Sequence, residues 1–569
     1  MRVLPETRAA APSVWRRPLS LAMLAPWLAF FVPLYVYLFG LRYPGRGDAS
    51  PAELLPIALF HGHGFDFREF VSPGEPLPYW FRIVEARVVS AYPVLPGLFN
   101  VPVYAAARLC GVDLEAHRQL LSGITASILS ALSVLFLYLA LARICRGRAT
   151  ALGFALVYAF GTTVWSVASR GMFQHAPGVC FLSAALWALA RGGRAVPWAG
   201  LALGLAVVGR PTNIAIALPL ALYAARYERR SLLRFASLAA VPGLLYAWYA
   251  AVYLGSPFAS PQAVAADNFR GSPLTGLAGL LFSPSRGLFV FSPFFLFAIP
   301  AVVGSARPTS GAGRDRLPRY LLAGIGLDLL LFSKWRMWWG GSTFGYRLLT
   351  ELAPLLTIFL ALSWPRIERS RIARVLLVLA ISVSFFIHFL GAMVGASGFN
   401  EDVESDPARV WSVANSELDL ATRKLIRIAA PGLGVPARSA RATDVAEPPP
   451  AWWRPELNDD GIPGWIDVPS ESASVKGPLA ITGWAKSTAG EVEVRIAIAP
   501  DGAVPRIERA SRPDVAAALP QLGDCSRAGF RATLARPSAD TPFHTLAVEL
   551  RDARGRVRRL GPIRFRWTD

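Results

Sequence analysis

The chain has 569 residues, of which 53% are hydrophobic and 17% charged, and it carries a formal net charge of +20. Its apolar residues gather into blocks instead of recurring at a helical or strand period, which excludes an ordinary soluble globular protein and gives a membrane composition. The surplus Lys and Arg residues sit in short tracts between those blocks, so they read as topology signals and not as a nucleic-acid surface.

The first block, Leu19 to Leu41, is uncharged, follows Arg16 and Arg17 and is long enough to span about 30 Å of hydrocarbon. It runs on into Arg42 and Tyr43 without the small-residue cleavage site of a secretory signal, so it is expected to remain as a first helix with a cytoplasmic N-terminus. Basic tracts follow at Arg143 to Arg148, Arg191 and Arg194, Arg226 to Arg234, Arg314 to Arg319, and Arg366 to Arg374. If all are cytoplasmic, each neighbouring pair encloses an even number of crossings. The apolar stretches 119–142, 150–168, 173–190, 235–253, 287–304, 318–333, 346–364 and 373–396 can alternate in this way. The stretch 196–225 joins two basic tracts and is broken at Gly209, Arg210 and Pro211, so it is expected to form a hairpin of two short helices. The count is about eleven crossings, which leaves the C-terminus outside.

This topology makes 42–118, 254–286, 334–347 and the short 169–175 outer segments. Within the first, Val88 to Leu109 is apolar but interrupted by Pro93, Pro96 and Pro102, and is expected to lie along the outer interface. Beyond residue 396 come a possible amphipathic helix around Val410 to Ile428 and a Pro-rich linker at Pro448 to Pro450. From Trp465, alternations such as Val492, Val494, Ile496 and Ile498 are divided by turns at Asp501-Gly502 and Arg554-Gly555, a pattern suited to a β-sandwich. The expected division is a transmembrane domain over 1–396, a helix and linker over 397–464, and an outer β-sandwich over 465–569. Its "ITGWA" at Ile481 to Ala485, "RPDV" at Arg512 to Val515 and "GF" at Gly529 and Phe530 resemble the small sandwich modules of bacterial cell-surface and glycan-handling proteins. Such a module implies sugar binding, a spacer role or docking. Of the four cysteines only Cys110 and Cys525 share the outer side, leaving room for at most one structural disulfide there.

The first outer segment reads "YPGRGDASPAELLPIALFHGHGFDF" from Tyr43 and "SAYPVLPGLFNVPVYAAARL" from Ser90. Here the chain resembles the GT-C superfamily of membrane glycosyltransferases, which take sugars from polyprenyl-phosphate carriers. The resemblance covers most of 19–396 and implies a carboxylate a few residues past helix one, matched by Asp48. It also implies interfacial helices with a Tyr-Pro pair, matched by Tyr92-Pro93, and a second crossing, matched by Leu120 to Leu141. Many relatives carry a second acid directly after the first, whereas here Ala49 follows and Glu53 is next. Five residues turn a helix by roughly 500°, so Glu53 would not share a face with Asp48.

Transfer to a hydroxyl needs a base as positive charge develops on the sugar carbon, and a carboxylate can serve both needs. Asp48 is the candidate, with helix capping near Ala49 to Ala52 as the competing role. A departing phosphate needs cations at the outer surface. Arg286, in "SPSRGLFVFSP", and Lys334, Arg336 and Arg347, in "SKWRMWWGGSTFGYR", are candidate substrate-binding residues together with Glu53. The three tryptophans beside Gly340-Gly341 offer stacking surfaces, although Trp and Arg also anchor helices at interfaces. Arg347 has Glu351 one turn below, which suits a buried pair as well as a phosphate site. Arg170 and His175, in "SRGMFQHAPG", complete the binding candidates, with helix capping as the alternative.

His61 and His63, with Asp66 and Glu69, lie in a Gly-containing loop with no further Cys or His nearby, so no metal site and no cofactor is expected. No phosphate-binding Gly-rich loop, zinc motif or nucleophile elbow is present. The expectation is an inverting glycosyltransferase in a bacterial inner membrane, moving a sugar from a polyprenyl-phosphate donor to an envelope glycan, lipid or protein at the periplasmic face. A lipid-linked glycan polymerase or ligase, or a non-enzymatic transporter or scaffold, stays open beside it.

Overall fold

The computed structural model describes residues 21–40, 47–71, 77–260, 266–307, 316–341, 343–395, 403 and 407–429, and, further on, 462, 464–468, 473–475, 478–487, 491–499, 505–512, 524, 527–535 and 544–567. The expectations for Arg42, Tyr43, Arg314, Pro448 to Pro450, Asp501-Gly502 and Cys525 fall outside these residues. The chain forms two compact units, Met1–Ala440 and Arg441–Asp569.

The first unit is helical. Its α1 is Leu21–Phe39; α2, Ser50–Phe60, β1, Phe81–Val84, β2, Arg87–Ser90, and α3, Leu95–Leu109, occupy the expected first outer segment. Within Val88 to Leu109, Val88 and Val89 pair with Ile83 and Arg82 in a hairpin, and the helix begins only where Pro96 can sit in its first turn. The bundle continues with α4, Arg118–Leu141, α5, Arg148–Phe160, α6, Thr163–Ser166, α7, His175–Arg191, α8, Val196–Gly209, α9, Ile214–Tyr227, and α10, Leu232–Tyr253. There follow α11, Pro273–Phe282, α12, Leu288–Phe291, α13, Ile299–Ala306, α14, Leu317–Ser333, α15, Ala353–Ile367, and α16, Arg371–Phe389. A last helix, α17, spans Glu417–Ala429. Pro293 and Pro300 split the stretch expected as one helix over 287–304 into α12, a 3-10 segment and α13.

Among the described residues four helices are long and apolar enough to cross a membrane, Arg118–Leu141, Arg229–Tyr253, Arg347–Ile367 and Arg371–Val394, and a fifth span arises if Arg148–Phe160 and Thr163–Arg170, bent by 43°, count as one. Shorter apolar helices, Met23–Phe39 and Gly193–Gly209 among them, accompany these. The span around α15 is 78% buried in its apolar window, whereas those around α10 and α16 are 22% and 33% buried, so α15 is central and the other two present apolar faces outward. Outward Leu, Val and Trp residues of this density suit a lipid surround.

Small residues let the helices close on one another. A Cβ on Gly200 would sit 2.2 Å from the Phe235 carbonyl oxygen and one on Gly204 2.5 Å from that of Ala239, so a Gly-x-x-x-Gly face of α8 lies directly on the α10 backbone. The expected hairpin over 196–225 is present as an out-and-back path. Ser231 Oγ, just past α9, donates to Gly193 O at 3.4 Å, just before α8, while the Arg210 break lies at the far end. Antiparallel packing of α9 on α14 follows from Tyr223 against Tyr320 at 5.6 Å, Gly324 against Ile216, and Arg210 over the Phe332 ring at 5.2 Å.

Among the described residues the second unit has two four-stranded sheets, one with Gly464–Val468, Leu479–Ala485, Gly529–Leu534 and Ile507–Ala510, the other with Ala473–Val475, Val557–Trp567, His544–Arg551 and Glu493–Ala499. Ile481 and Phe530 of the first share one core with Val494, Ile496 and Ile498 of the second, and the last three are the alternation seen in the sequence.

Candidate active site

Asp48 precedes α2 without capping it: Ala49 occupies the cap position and no side-chain cap hydrogen bond is made there. The Asp48 carboxylate instead accepts Tyr92 OH at 2.7 Å, Tyr79 OH at 3.1 Å and a guanidinium N–H of Arg347. Arg347 opens the central apolar span nearly 300 residues later. Two tyrosines and an arginine thus fix one carboxylate, and the helix-capping alternative has no hydrogen bond behind it. Burial by itself would raise the Asp48 carboxyl, but the Arg347 charge and the hydrogen bonds from Arg347, Tyr92 and Tyr79 outweigh it and hold the group down from 3.8 to about 2. Burial and the Asp48 charge push the Tyr92 phenol up, so it stays a donor.

Arg347 is held from three further sides. Its Nε donates to His175 Nε2 at 3.1 Å, another N–H to Gly340 O at 3.4 Å, and the guanidinium lies 5.4 Å over the Phe173 ring. Because Nε2 accepts, the proton of a neutral His175 belongs on Nδ1, which donates to Glu351 Oε1 at 3.1 Å; this tautomer is assigned from the network. Arg210, from the α8–α9 break, pairs with the other Glu351 oxygen. Glu351 therefore pairs with Arg210 and His175, not with Arg347 one turn above it, because Arg347 is drawn to Asp48. The Glu351 and His175 side chains keep only 1% and 3% of their surface, whereas Asp48 and Arg347 keep 22% and 15%, so the Asp48–Arg347 pair is the open front of a closed network.

The other predicted residues lie elsewhere or serve differently. Glu53 faces away as its helical position implies, 3.8 Å from Arg118, and burial pushes its carboxyl up to about 7 against the weaker pull of Arg118. Arg170 is buried and donates to Gly40 O at the end of α1. Arg286 is buried, with its guanidinium on Glu417, Ser285 O, Trp339 O and Gly341 O. Lys334 and Arg336 are exposed, and their backbones bond Gly271 N and Asn268 O at 2.9 and 2.6 Å. Trp338 is a packing residue and not an open stacking face, being buried 5.5 Å from the Trp411 ring and against Gly279. His61 and His63 both reach Glu69, at 2.8 and 3.1 Å, and among the described residues no three His, Cys, Asp or Glu side chains are grouped to hold a metal.

Sequence reasoning missed Tyr79 and the assignment of Arg210 to Glu351. The signal for Arg210 was present, since an arginine inside an apolar block demands a buried acid, and Glu351 is one of the few available. Tyr79 had no comparable signal, because it reaches Asp48 only through the fold of the β1–β2 hairpin beside it. Comparison with known protein families, with characterised proteins and with solved structures finds no match.

Proposed function

We propose that the chain is an inverting membrane glycosyltransferase of GT-C type that takes a sugar from a polyprenyl-phosphate donor at the outer face of a bacterial inner membrane. In this reading the short apolar helices also cross or enter the membrane, bringing the count to about eleven crossings, and the two C-terminal sheets form a periplasmic sandwich. The observation that carries the reading is the meeting of Asp48 and Arg347, from two separate outer segments, in one half-open pair.

The pair suits the chemistry. The acceptor oxygen attacks the anomeric carbon from the face opposite the phosphate; the bond to the phosphate oxygen breaks and its electrons leave with the phosphate, and the acceptor proton passes to Asp48. With Arg347 on it, Asp48 is a weak base. A donor phosphate competing for the same guanidinium relieves that hold, so the base gains strength only once the donor is seated. The proton-accepting group and the phosphate-binding group then act as one unit, with His175, Glu351 and Arg210 keeping Arg347 from swinging away.

The test is Asp48→Asn. It keeps the shape and much of the hydrogen-bonding capacity but cannot take the proton, so sugar transfer from polyprenyl-phosphate donors should fall by ~10² to 10⁴ while donor binding persists. Full activity in this variant removes Asp48 from the mechanism.

A further inference from the structure

The loop that delivers Arg347 is rich in glycines in the left-handed region: Gly340, Gly341 and Gly345 have φ of +79°, +68° and +66°. Such a loop loses much backbone freedom when it is ordered and needs ties from outside itself. Three come from one buried ion pair. Arg286 donates to Trp339 O at 2.9 Å and to Gly341 O at 3.3 Å, and Glu417 accepts the Gly345 N–H at 2.8 Å, two residues before Arg347. Arg286 and Glu417 bond each other at 2.5 Å and are each 1% exposed.

Glu417 opens α17, after the last long apolar helix, within the stretch Val410 to Ile428 that the sequence offers as an amphipathic helix. The surrounding chain is fixed at several more points. Ser283 Oγ donates to Val410 O at 2.6 Å, Glu417 N donates to Ser285 Oγ at 3.3 Å, and Trp411 packs on Trp338. Residues 410–417 therefore cross over 283–286 and 338–345 as a strap whose one carboxylate reaches the loop backbone.

We infer that this strap is part of the active-site wall and that Glu417, through Arg286 and Gly345, is a positioning residue for Arg347. Glu417 touches no reacting atom; it sets the loop conformation in which the Arg347 guanidinium meets Asp48 and, when bound, the donor phosphate. This rests on the transferase reading above for the identity of the ligand, but not for the existence of the strap.

The experiment uses the full chain in lipid nanodiscs. The double variant Arg286→Met with Glu417→Leu removes both charges together, leaving no unpaired buried charge to unfold the protein. Glu417→Gln keeps an acceptor for Gly345 N–H. Amide hydrogen exchange over 338–348 should be faster in the double variant and intermediate in Glu417→Gln, with exchange in 118–141 unchanged. In the transfer assay the KM for the polyprenyl-phosphate sugar should rise about tenfold to a hundredfold with kcat altered far less, the opposite of Asp48→Asn. Unchanged exchange over 338–348 overturns the strap. Faster exchange with an unchanged KM overturns the positioning role. A wild-type chain inactive with all polyprenyl-phosphate donors overturns the transferase reading, and the exchange measurement then decides the strap alone.

Discussion

At the scale of single residues, Asp48 and Glu53 show how environment divides two carboxylates five positions apart. Asp48, beside Arg347, is held at about 2, and Glu53, buried with only a distant Arg118, is pushed up to about 7. The signs give separate outcomes. A base must be deprotonated, so activity falls as pH drops through its pKa. The acid limb of kcat/KM, which reports the free enzyme, should therefore lie well below that of kcat, which reports the donor complex in which Arg347 is shared with phosphate. Coincident limbs would mean that donor binding does not touch the pair. Glu53 acts on stability: a carboxyl raised in the folded state favours folding below its unfolded pKa near 4.5, and that contribution is lost as pH rises through about 7. Thermal unfolding in nanodiscs should accordingly show stability falling between pH 5 and 8 by on the order of 3 kcal/mol, and Glu53→Gln should flatten that slope. A variant whose pH dependence matches wild type would show that Glu53 is ionised in the fold. His175 and Arg347 were readable from sequence because polar residues next to apolar blocks stand out, and Asp48 because it matches the carboxylate that the resemblance implies. Their pairing was not, because Arg347 had a nearer acid in Glu351 and only the tertiary path of α8 and α9 brings Arg210 in to occupy it.

At the scale of elements, block lengths and prolines set most boundaries, and α4, α14 and the apolar spans Arg347–Ile367 and Arg371–Val394 lie within a few residues of where hydropathy puts them. Elements whose form depends on neighbours escaped that reading. The β1–β2 hairpin is specified by cross-strand pairing and by the turn at Glu85 and Ala86, both at positive φ; the helix expected around Val410 to Ile428 is present as α17, but the reach of Glu417 to Arg286 and Gly345 depends on the fold and had no signal in the sequence. The out-and-back path of α8 and α9 yields a direct topological test. If Arg210 turns at the outer side, a periplasm-active reporter inserted after Thr212 should be active, whereas one inserted after Glu228 should be silent. The reverse pattern, or equal activity at both, would remove the hairpin from the crossing count.

At the scale of the molecule, the first unit reads as a scaffold that brings three stretches distant in sequence, around Asp48, His175 and Arg347, to one end of a helix bundle. A fourth, around Glu417, holds the last of these in place. The closed part of the network, Glu351, His175 and Arg210, is expensive to bury in a low-dielectric interior unless each member is paired, and each is. Such an arrangement is expected where geometry and not stability is at stake. The measurement that bears most directly on this account is a structure of the full chain in nanodiscs with a polyprenyl phosphate bound. The account predicts the phosphate within about 3 Å of the Arg347 guanidinium, with that guanidinium drawn away from Asp48 and the carboxylate facing the space where an acceptor hydroxyl would sit. A phosphate seated elsewhere, with the Asp48–Arg347 pair intact, would contradict it.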